Sequence, residues 1–386
     1  MKLSVIVLVG LIPTFAAGVI VQLDCARDLG EQIETAEVFS ELHGDGSCTW
    51  YVSKPIKVLV PMTIRKLRVV LRSSEGIPMI KILARSVTMT EFELIGNNKM
   101  VAGTAREALV QVFKSAFHIA RGTFRNSTKD GVQVRSIAGA PPITGGVLRD
   151  LVGRHNHRDL VSLTTLDGGK SLTRNIVVEN IRAYGSRDRG AVEISDGVED
   201  IFVRSVYAEN CYYAVSIQDH GVSELETIRR VFVSNVVAVR SHFAVVSQVE
   251  SIRHGDVSIS RVIAKNCEQA LELKNLDWVR VDDVRVIAAS TTGYPVEIKN
   301  CKDLKIRDVS FVGGGQARGA ILIADSTNVR IAGITLSEKT NVFFGITIFR
   351  MFERFQPGLQ ISQVDLNAAT GRQINIRITP PHLRVP

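Results

Sequence analysis

Short runs of alternating apolar and polar residues recur along the chain at intervals of about 27 residues, the mean spacing between Gly131 and Gly345. One series of runs begins at Gly131, Leu160, Ala191, Ala214, Ala244, Ala270, Pro295, Ala320 and Gly345. A second series lies between these runs and begins at Asn175, Asp200, Arg230, Asp256, Trp278, Asp303 and Asn328. Alternation with a period of two residues is typical of half-buried strands, so the sequence predicts at least two strands per repeat.

This repeat is too short for crossover helices or propeller blades, and its length fits one coil of a strand solenoid. The pattern predicts an all-β fold made of a single parallel β-helix of about ten coils. Over residues 50 to 365 the coil pattern resembles the right-handed parallel β-helices of the pectin lyase-like superfamily. The resemblance implies a right-handed solenoid and says little about function, because one fold serves many functions.

The chain is predicted to have four segments. Residues 1–18 are expected to be a signal peptide and residues 19–48 an N-terminal cap. The cap is expected to contain a helix over the open first coil, because Leu29, Ile33, Ala36, Phe39 and Leu42 fall on one helical face. Residues 49–350 are expected to form the β-helix and residues 351–386 a closing segment of irregular strands.

The signal peptide prediction depends on a single Lys2, an apolar run and the small residues Ala16, Ala17 and Gly18. It implies a secreted or periplasmic protein. The alternative is a buried first strand, because Val19 to Val21 continue the apolar run. No later run approaches the roughly 18 apolar residues of a transmembrane helix, so no integral membrane segment is expected after the leader.

Five cysteines do not make a disulfide framework in a chain of 386 residues. Cys25 and Cys48 can form a bridge within the cap in an oxidising compartment. Cys211 and Cys267 occupy one column two coils apart, roughly 10 Å, and are expected to remain free.

The charge balance favours polyanionic partners. The chain has 47 Lys and Arg against 39 Asp and Glu, a net charge of +8, and its 45% hydrophobic content excludes a disordered chain. The sequence shows no metal-ligand spacing, phosphate-binding glycine loop or nucleic-acid motif. No cofactor is predicted, although calcium is left open, and an acidic polysaccharide is the expected partner.

Candidate site residues come from columns of the first strand series. The second and fourth residues after each start are expected to point outward, which exposes Glu193, Glu272 and Lys274. The two positions before each start form a ribbon of cations followed by aromatic residues: Lys129, Arg158, Arg189, Tyr212, Tyr213, His242 and Phe243. Such a ribbon suits a chain of acidic sugars, whose carboxylates pair with Arg and whose rings lie on aromatic faces. The alternative is that these cations only keep a long sheet soluble.

The resemblance implies binding or cleavage of polysaccharides. Polygalacturonases of the superfamily use an Asp pair, and the matching place here contains Tyr212 and Tyr213. Lyases instead neutralise a uronate carboxylate with cations and move protons with Lys, Arg or His, which fits this ribbon better. The leading hypothesis is therefore a secreted lyase, or an epimerase sharing its proton abstraction, acting on a uronic-acid polysaccharide.

In this hypothesis Arg158 and Arg189 bind the substrate carboxylate. The expected proton-transfer groups are His157 or His242 together with Tyr213, with Glu193 orienting one of them. The remaining predicted substrate-binding residues are Lys129, Tyr212, Phe243, Glu272 and Lys274.

Two alternatives remain open. One is a polygalacturonase-like hydrolase that uses Glu193 together with Asp188, Asp196 or Asp219. The other is a β-helix that binds glycan without catalysis.

Overall fold

A computed structural model describes residues 19–378 except 74, 98–106, 138, 166–171, 187, 221–226, 249–253, 314–316, 338–339, 341, 351–359, 366–368 and 370–373. The predicted signal peptide at 1–18 lies outside the described residues.

The described chain winds into a right-handed parallel β-helix, as predicted. Each described strand pairs in parallel with strands of the neighbouring coils, and the strands form two long sheets. The thirteen-stranded sheet contains β4 (Ile56–Val58), β7 (Ile80–Ile82), β9 (Val110–Val112), β11 (Val132–Ser136), β13 (Val161–Thr165), β15 (Gly190–Ser195), β17 (Tyr213–Gln218), β19 (Phe243–Gln248), β21 (Gln269–Lys274), β23 (Val296–Lys299), β25 (Ala317–Ala324), β27 (Val342–Arg350) and β29 (Ile374–Ile378).

The sixteen-stranded sheet contains the second predicted series. Its strands are β1 (Ile20–Gln22), β2 (Glu41–His43), β3 (Trp50–Val52), β5 (Thr63–Arg65), β6 (Arg68–Leu71), β8 (Thr88–Ile95), β10 (Phe117–Arg125), β12 (Ile143–Arg154), β14 (Thr173–Tyr184), β16 (Val198–Glu209), β18 (Arg229–Val239), β20 (His254–Lys265), β22 (Leu276–Ile287), β24 (Lys305–Val312), β26 (Arg330–Leu336) and β28 (Gln360–Asp365). The thirteen-stranded sheet has more strands than the predicted ten or so coils, because the repeat pattern does not reveal its first three strands, the three-residue β4, β7 and β9.

Left-handed backbone residues bend the chain at fixed places in each coil. The residues that open the second predicted series all have φ between 51° and 57°, and most are Asn or Asp: Asn175, Asp200, Arg230, Asp256, Trp278, Asp303 and Asn328. Asn and Asp tolerate this conformation better than other non-glycine residues because their short side chains bond locally. A second left-handed residue lies further along the same strands, as at Asn180 and Asn235.

The core lies between the two sheets. The inward positions of the first series, such as Val192, Ile194, Val215 and Ile217, are fully buried, as their alternation predicts. Cys211, Cys267 and Cys301 are buried and form no disulfide within the described part of the chain.

The N-terminal segment contains a shorter helix than its pattern predicts. The helix α1 (Leu29–Glu34) begins after Asp28, whose side chain accepts a hydrogen bond from the Glu31 backbone N–H at 2.8 Å. Its Leu29 and Ile33 side chains are buried. The prediction of one helical face reaching Leu42 is wrong, because Leu42 lies in β2 and pairs with Ile64.

A disulfide near the N-terminal end and two added strands near the C-terminal end connect the ends of the described chain to the solenoid. Cys25 and Cys48 form the disulfide that the sequence allows, with Cα atoms 5.8 Å apart. At the other end, the described strands of the predicted closing segment, β28 and β29, extend the two sheets in parallel.

Candidate functional site

The outer face of the thirteen-stranded sheet is packed over its middle strands. The second-position column was predicted to be exposed there, but Gln133, Ser162, Glu193, Ser216 and Val246 are all at most 4% exposed. The prediction is wrong because neighbouring large side chains lie over this column. Tyr213 and Phe243, for example, pack on Val246 in a small cluster of their own.

A buried charge cluster occupies this face and consists of Asp130, Arg158, Asp159, Arg189, Glu193 and Tyr213. Glu193 lies at its centre: Arg158 Nη2 is 3.3 Å and Arg189 Nη1 is 3.1 Å from its carboxylate oxygens. The Ser162 hydroxyl donates to Glu193 Oε2 at 2.8 Å, and the Gln218 amide also donates to this carboxylate. The two predicted carboxylate-binding arginines therefore already hold a carboxylate of the chain itself.

Two more carboxyl groups flank Arg158, one from the preceding coil and one from the next residue of the chain. Its Nε is 3.6 Å from Asp130 Oδ1, and its Nη2 is 3.9 Å from Asp159 Oδ2. Both aspartates are fully buried, and in each of them Oδ2 accepts no hydrogen bond from the part of the chain that the structure describes. An unpartnered buried carboxyl oxygen favours the protonated form of the group.

Tyr213 belongs to the same cluster and is not exposed, contrary to the prediction. Its hydroxyl donates to Asp159 Oδ1 at 2.8 Å although Tyr213 lies two coils away. Gly190 on the intervening coil makes this possible, because a Cβ at Gly190 would lie 1.8 Å from the Tyr213 carbonyl oxygen and 2.5 Å from its ring. The tyrosine thus crosses one coil through the gap that a glycine leaves.

Burial governs the protonation of the cluster. Desolvation raises the pKa of Asp130 to about 6 and raises the pKa of Asp159 well above its usual range, with the charge of Glu193 adding to both effects. Burial also raises the pKa of Tyr213, so its hydroxyl keeps its proton. Three carboxyl groups facing two guanidinium groups balance when one aspartate carries a proton.

Asp196 and His220 form a dyad at the end of β15 and just beyond β17. The imidazole Nδ1 lies 2.7 Å from Asp196 Oδ2, and the Thr164 hydroxyl donates to the same oxygen at 3.0 Å. Asp196 is buried, whereas 44% of the His220 side chain is exposed. The hydrogen bond to Asp196 raises the pKa of His220 above its usual value.

A second histidine and aspartate lie deeper on the next coil. His254 Nε2 is 3.6 Å from Asp219 Oδ2, both side chains are fully buried, and neither Asp219 oxygen accepts a hydrogen bond from the described residues. His254 Nδ1 accepts from the Ile228 backbone N–H at 3.1 Å, which places the proton of the neutral ring on Nε2. Burial lowers the pKa of His254 to about 4, so the ring is neutral near pH 7.

The other two predicted proton-transfer residues are partly exposed, and each pairs with an acid. His157 Nε2 is 2.9 Å from Asp188 Oδ2, and His242 Nδ1 is 3.0 Å from Glu268 Oε2. The Tyr212 ring lies 5.0 Å from His242 and 5.3 Å from Phe243, centre to centre, and Phe243 is mostly covered. Lys129 is half-buried and contributes to the charge around Asp130.

Glu272 and Lys274 lie further along the same face and pair with each other within β21. Glu297 and Lys299 repeat this arrangement in β23. These residues are partly exposed and do not contact the buried charge cluster by any described hydrogen bond or ion pair.

Sequence reasoning did not select several residues of the site. Asp130 and Asp159 stand in the same column as Tyr213, but a single column gives no sign that a side chain crosses a coil. Asp196 was selected only for the hydrolase alternative; Asp196 and Asp219 follow their strand starts at the same offset, and His220 comes directly after Asp219, which was the available signal. His254 lies at the start of a strand of the other sheet, where the columns of the first series cannot reveal it.

No group of three His, Cys, Asp or Glu side chains in the described part of the chain is arranged to hold a metal ion. None of the helices described here is long and apolar enough to cross a membrane.

No protein-family model matches this sequence, and no curated protein is significantly similar to it. Solved structures do match. The pre-mature gene product 12 of bacteriophage phi29 aligns with a TM-score of 0.62 at 12% identity, over 85% of this chain and 51% of that chain. The chain therefore spans about half the length of that phage protein.

Two glycan-acting proteins also match. A Family 28 exopolygalacturonase of Yersinia enterocolitica aligns with a TM-score of 0.54 at 10% identity, over 95% of this chain and 79% of that one. The catalytic domain of a GH87 alpha-1,3-glucanase gives 0.54 at 8% identity, over 91% and 69%. At these identities the likeness concerns the fold alone. The chain thus has the right-handed parallel β-helix fold that its resemblance to the pectin lyase-like superfamily implies.

Proposed function

We propose that the protein is a secreted carbohydrate-active enzyme that acts on a uronic-acid polysaccharide by proton abstraction, as a lyase or an epimerase. The single observation that carries this proposal is the Asp196–His220 dyad. A buried carboxylate holds Nδ1 of a half-exposed imidazole, which is how a histidine is oriented for general acid or base catalysis.

The dyad replaces the residues that the sequence favours for proton transfer. In the free base form of His220, the hydrogen bond to Asp196 keeps the ring proton on Nδ1 and leaves the Nε2 lone pair for a substrate C–H. The burial of Tyr213 and its bond to Asp159 remove it from this role. His242 and His157, which are partly exposed, remain candidates for protonating the leaving oxygen.

The charges near the dyad suit an acidic substrate. Arg158 and Arg189 each keep about a quarter of their side chains exposed above Glu193. In the proposal their exposed edges bind the uronate carboxylate, which makes the neighbouring C–H more acidic. Glu193 then orients the two guanidinium groups, a role close to the orienting one predicted for it.

The test is incubation with pectate, alginate and glycosaminoglycans while ultraviolet absorbance from an unsaturated product is followed. His220→Gln should lower turnover by roughly 10² to 10⁴, the usual contribution of a positioned base. His43→Gln in β2, which lies far from the dyad in the strand order, serves as the matched control and should leave turnover unchanged. Turnover in His220→Gln equal to that of His43→Gln would overturn the assignment.

An epimerase gives no absorbance change but exchanges the substrate proton with solvent. Incubation in deuterated water with NMR detection of the exchanged position therefore covers the second reaction. If neither absorbance nor exchange is seen with any uronic polymer, proton abstraction is wrong.

The pH dependence follows from the dyad. A base must be unprotonated, and Asp196 raises the pKa of His220, so the rate should rise with pH through a value above the ordinary 6.5 of histidine. His220 should show the same inflection in an NMR titration of its ring.

The buried acids favour a second candidate, a glycoside hydrolase. Hydrolysis needs a carboxylic acid that stays protonated, and the raised pKa values of Asp130 and Asp159 provide that form. The two glycan-acting proteins of similar fold add support at the level of fold. Reducing ends released without an absorbance change would favour hydrolysis, and binding without any product would favour a glycan-binding protein.

A further inference from the structure

A groove of about 770 Å³ runs over the outer face of the sixteen-stranded sheet, away from the buried charge cluster and the dyad. Most of the side chains that line it are aromatic or charged, and they come from β18, β20, β22, β24 and β26 and from the turns before β24 and β26. Its size is in the range of known ligand sites.

A cationic column, formed by Arg280, Lys305 and Arg330, lies along this groove. The three residues face one another on successive strands, so their Cα atoms lie roughly 5 Å apart. All three are exposed, and their side chains form no described hydrogen bond or ion pair. Like charges directly opposite each other destabilise a sheet, so the column costs stability unless an anion binds to it.

Several other cations of this sheet are paired with acids of the neighbouring coil. Arg204 pairs with Glu179, Arg307 with Asp282, and Arg230 at the edge of the groove with Glu199 and Asp200. Asp303 also lines the groove, but its side chain accepts from Asn328 at 2.8 Å. A general need for solubility does not explain why the cationic column differs from these pairs.

Trp278 stands beside the cationic column in a strained conformation. It has φ of 57° and is 62% exposed, at a place where the coils on either side have Asp256 and Asp303. A bulky residue in the left-handed region is costly, and such strain is concentrated at functional sites. An exposed tryptophan is also the side chain best suited to stack on a sugar ring.

Aromatic residues continue the groove along the solenoid axis. Phe202 and Phe232 occupy the same column as Arg280, with Ser258 between, and their rings stack 5.1 Å apart at an angle of 6°. Both rings are exposed. One line of positions thus presents two flat apolar rings and then three cations.

We propose that this groove is a second binding surface, for an acidic oligosaccharide. Sugar rings stack on Trp278 and Phe232, and the acid groups of the sugar pair with Arg280, Lys305 and Arg330. Carboxylate and sulfate groups share this chemistry, so the ligand class is an anionic glycan with either group. The surface binds its ligand whether or not the other sheet is catalytic.

Intrinsic fluorescence can follow this surface by itself. The chain has two tryptophans, and Trp50 is only 4% exposed, so a change in the emission of exposed tryptophan reports Trp278. The probes are polygalacturonate oligomers, dextran sulfate, neutral dextran and single-stranded DNA. At least one anionic glycan should change this emission with saturation, and neutral dextran should not.

Trp278→Asn separates binding from folding. Asn occupies the equivalent left-handed position in two other coils, at Asn175 and Asn328. The variant should therefore melt no lower than the wild type. Calorimetric titration with the anionic glycan that changed the emission should show the loss of one set of sites. An unchanged number of sites would overturn the proposal.

The charge contribution has a matched control on the same strand. Arg280→Ser, which copies Ser258 of the same column, should weaken the fluorescence-detected affinity at least tenfold. Arg285→Ser removes an equally exposed cation of β22 outside the groove and should change it less than twofold.

The Arg285→Ser control and the DNA probe provide two further tests of the proposal. Equal losses in Arg280→Ser and Arg285→Ser would show general attraction to a polyanion and overturn the proposal. DNA binding as tightly as the glycans, with the same loss in Arg280→Ser, would assign the surface to nucleic acid instead. The relative affinities for polygalacturonate and dextran sulfate identify the preferred acid group.

Discussion

Glu193 and Glu272 occupy the same column of the thirteen-stranded sheet, but their surroundings differ. Glu193 in β15 is almost fully buried and contacts Arg158, Ser162 and Gln218 on neighbouring strands. Glu272 in β21 is partly exposed and pairs with Lys274 of its own strand. An outward position in a β-helix is therefore exposed only if no larger side chain or loop covers it.

The largest expected effect distinguishes these two glutamates. Glu193→Gln leaves two guanidinium groups without their central carboxylate and should lower the free energy of unfolding by about 3 to 5 kcal/mol. Glu272→Gln breaks only a local pair and should cost at most about 1 kcal/mol. Urea denaturation of both variants measures the difference, and similar costs would mean that the cluster is as solvated as the exposed pair.

A glycine substitution tests the crossing of Tyr213 over the intervening coil. Gly190→Ala places a Cβ against the Tyr213 backbone and ring, so it should destabilise by about 1 to 3 kcal/mol through overpacking. Gly255→Ala is the control, because its Cβ would meet only the Asp277 carbonyl oxygen at 3.8 Å. Equal melting temperatures for the two variants would contradict the close packing of the tyrosine.

The hydroxyl of Tyr213 can be removed without changing its ring. Tyr213→Phe leaves the buried Asp159 carboxyl without this partner and should cost about 1 to 3 kcal/mol. Tyr212→Phe, at a half-exposed neighbour, should change stability by about 0.5 kcal/mol or less. A loss of stability of this size would agree with a buried Tyr213 and not with the proton-transfer role predicted for it from the sequence.

The smallest effect is a pH dependence of stability. The pKa of Asp130 is raised to about 6 from 3.8, so the folded state holds this proton more tightly than the unfolded state. The contribution of Asp130 to stability is therefore fully present below about pH 4 and is lost as the pH rises through about 6. Asp130→Asn should melt a few degrees higher than the wild type at pH 7, and this advantage should disappear near pH 4. A constant difference between the two proteins would show that Asp130 is not desolvated.

The sequence predicts the solenoid well because coil spacing and alternation are local properties. The inward residues Val192 and Ile194 are placed correctly, as are the free Cys211 and Cys267. The site is harder to predict because its contacts join residues far apart in the chain, such as Tyr213 and Asp159. Alternation tells which way a side chain leaves the sheet, and it does not tell what lies above it.

The crossing of Tyr213 has a consequence for how the solenoid opens. In an ideal solenoid each coil interacts only with its neighbours, so coils can open one after another from an end. Tyr213 links β17 to the turn before β13, and Tyr294 makes a similar link by donating to Thr347 Oγ1 at 3.2 Å past Gly319. Within each link three coils must open together, which divides the solenoid into cooperative blocks that amide hydrogen exchange would detect as steps.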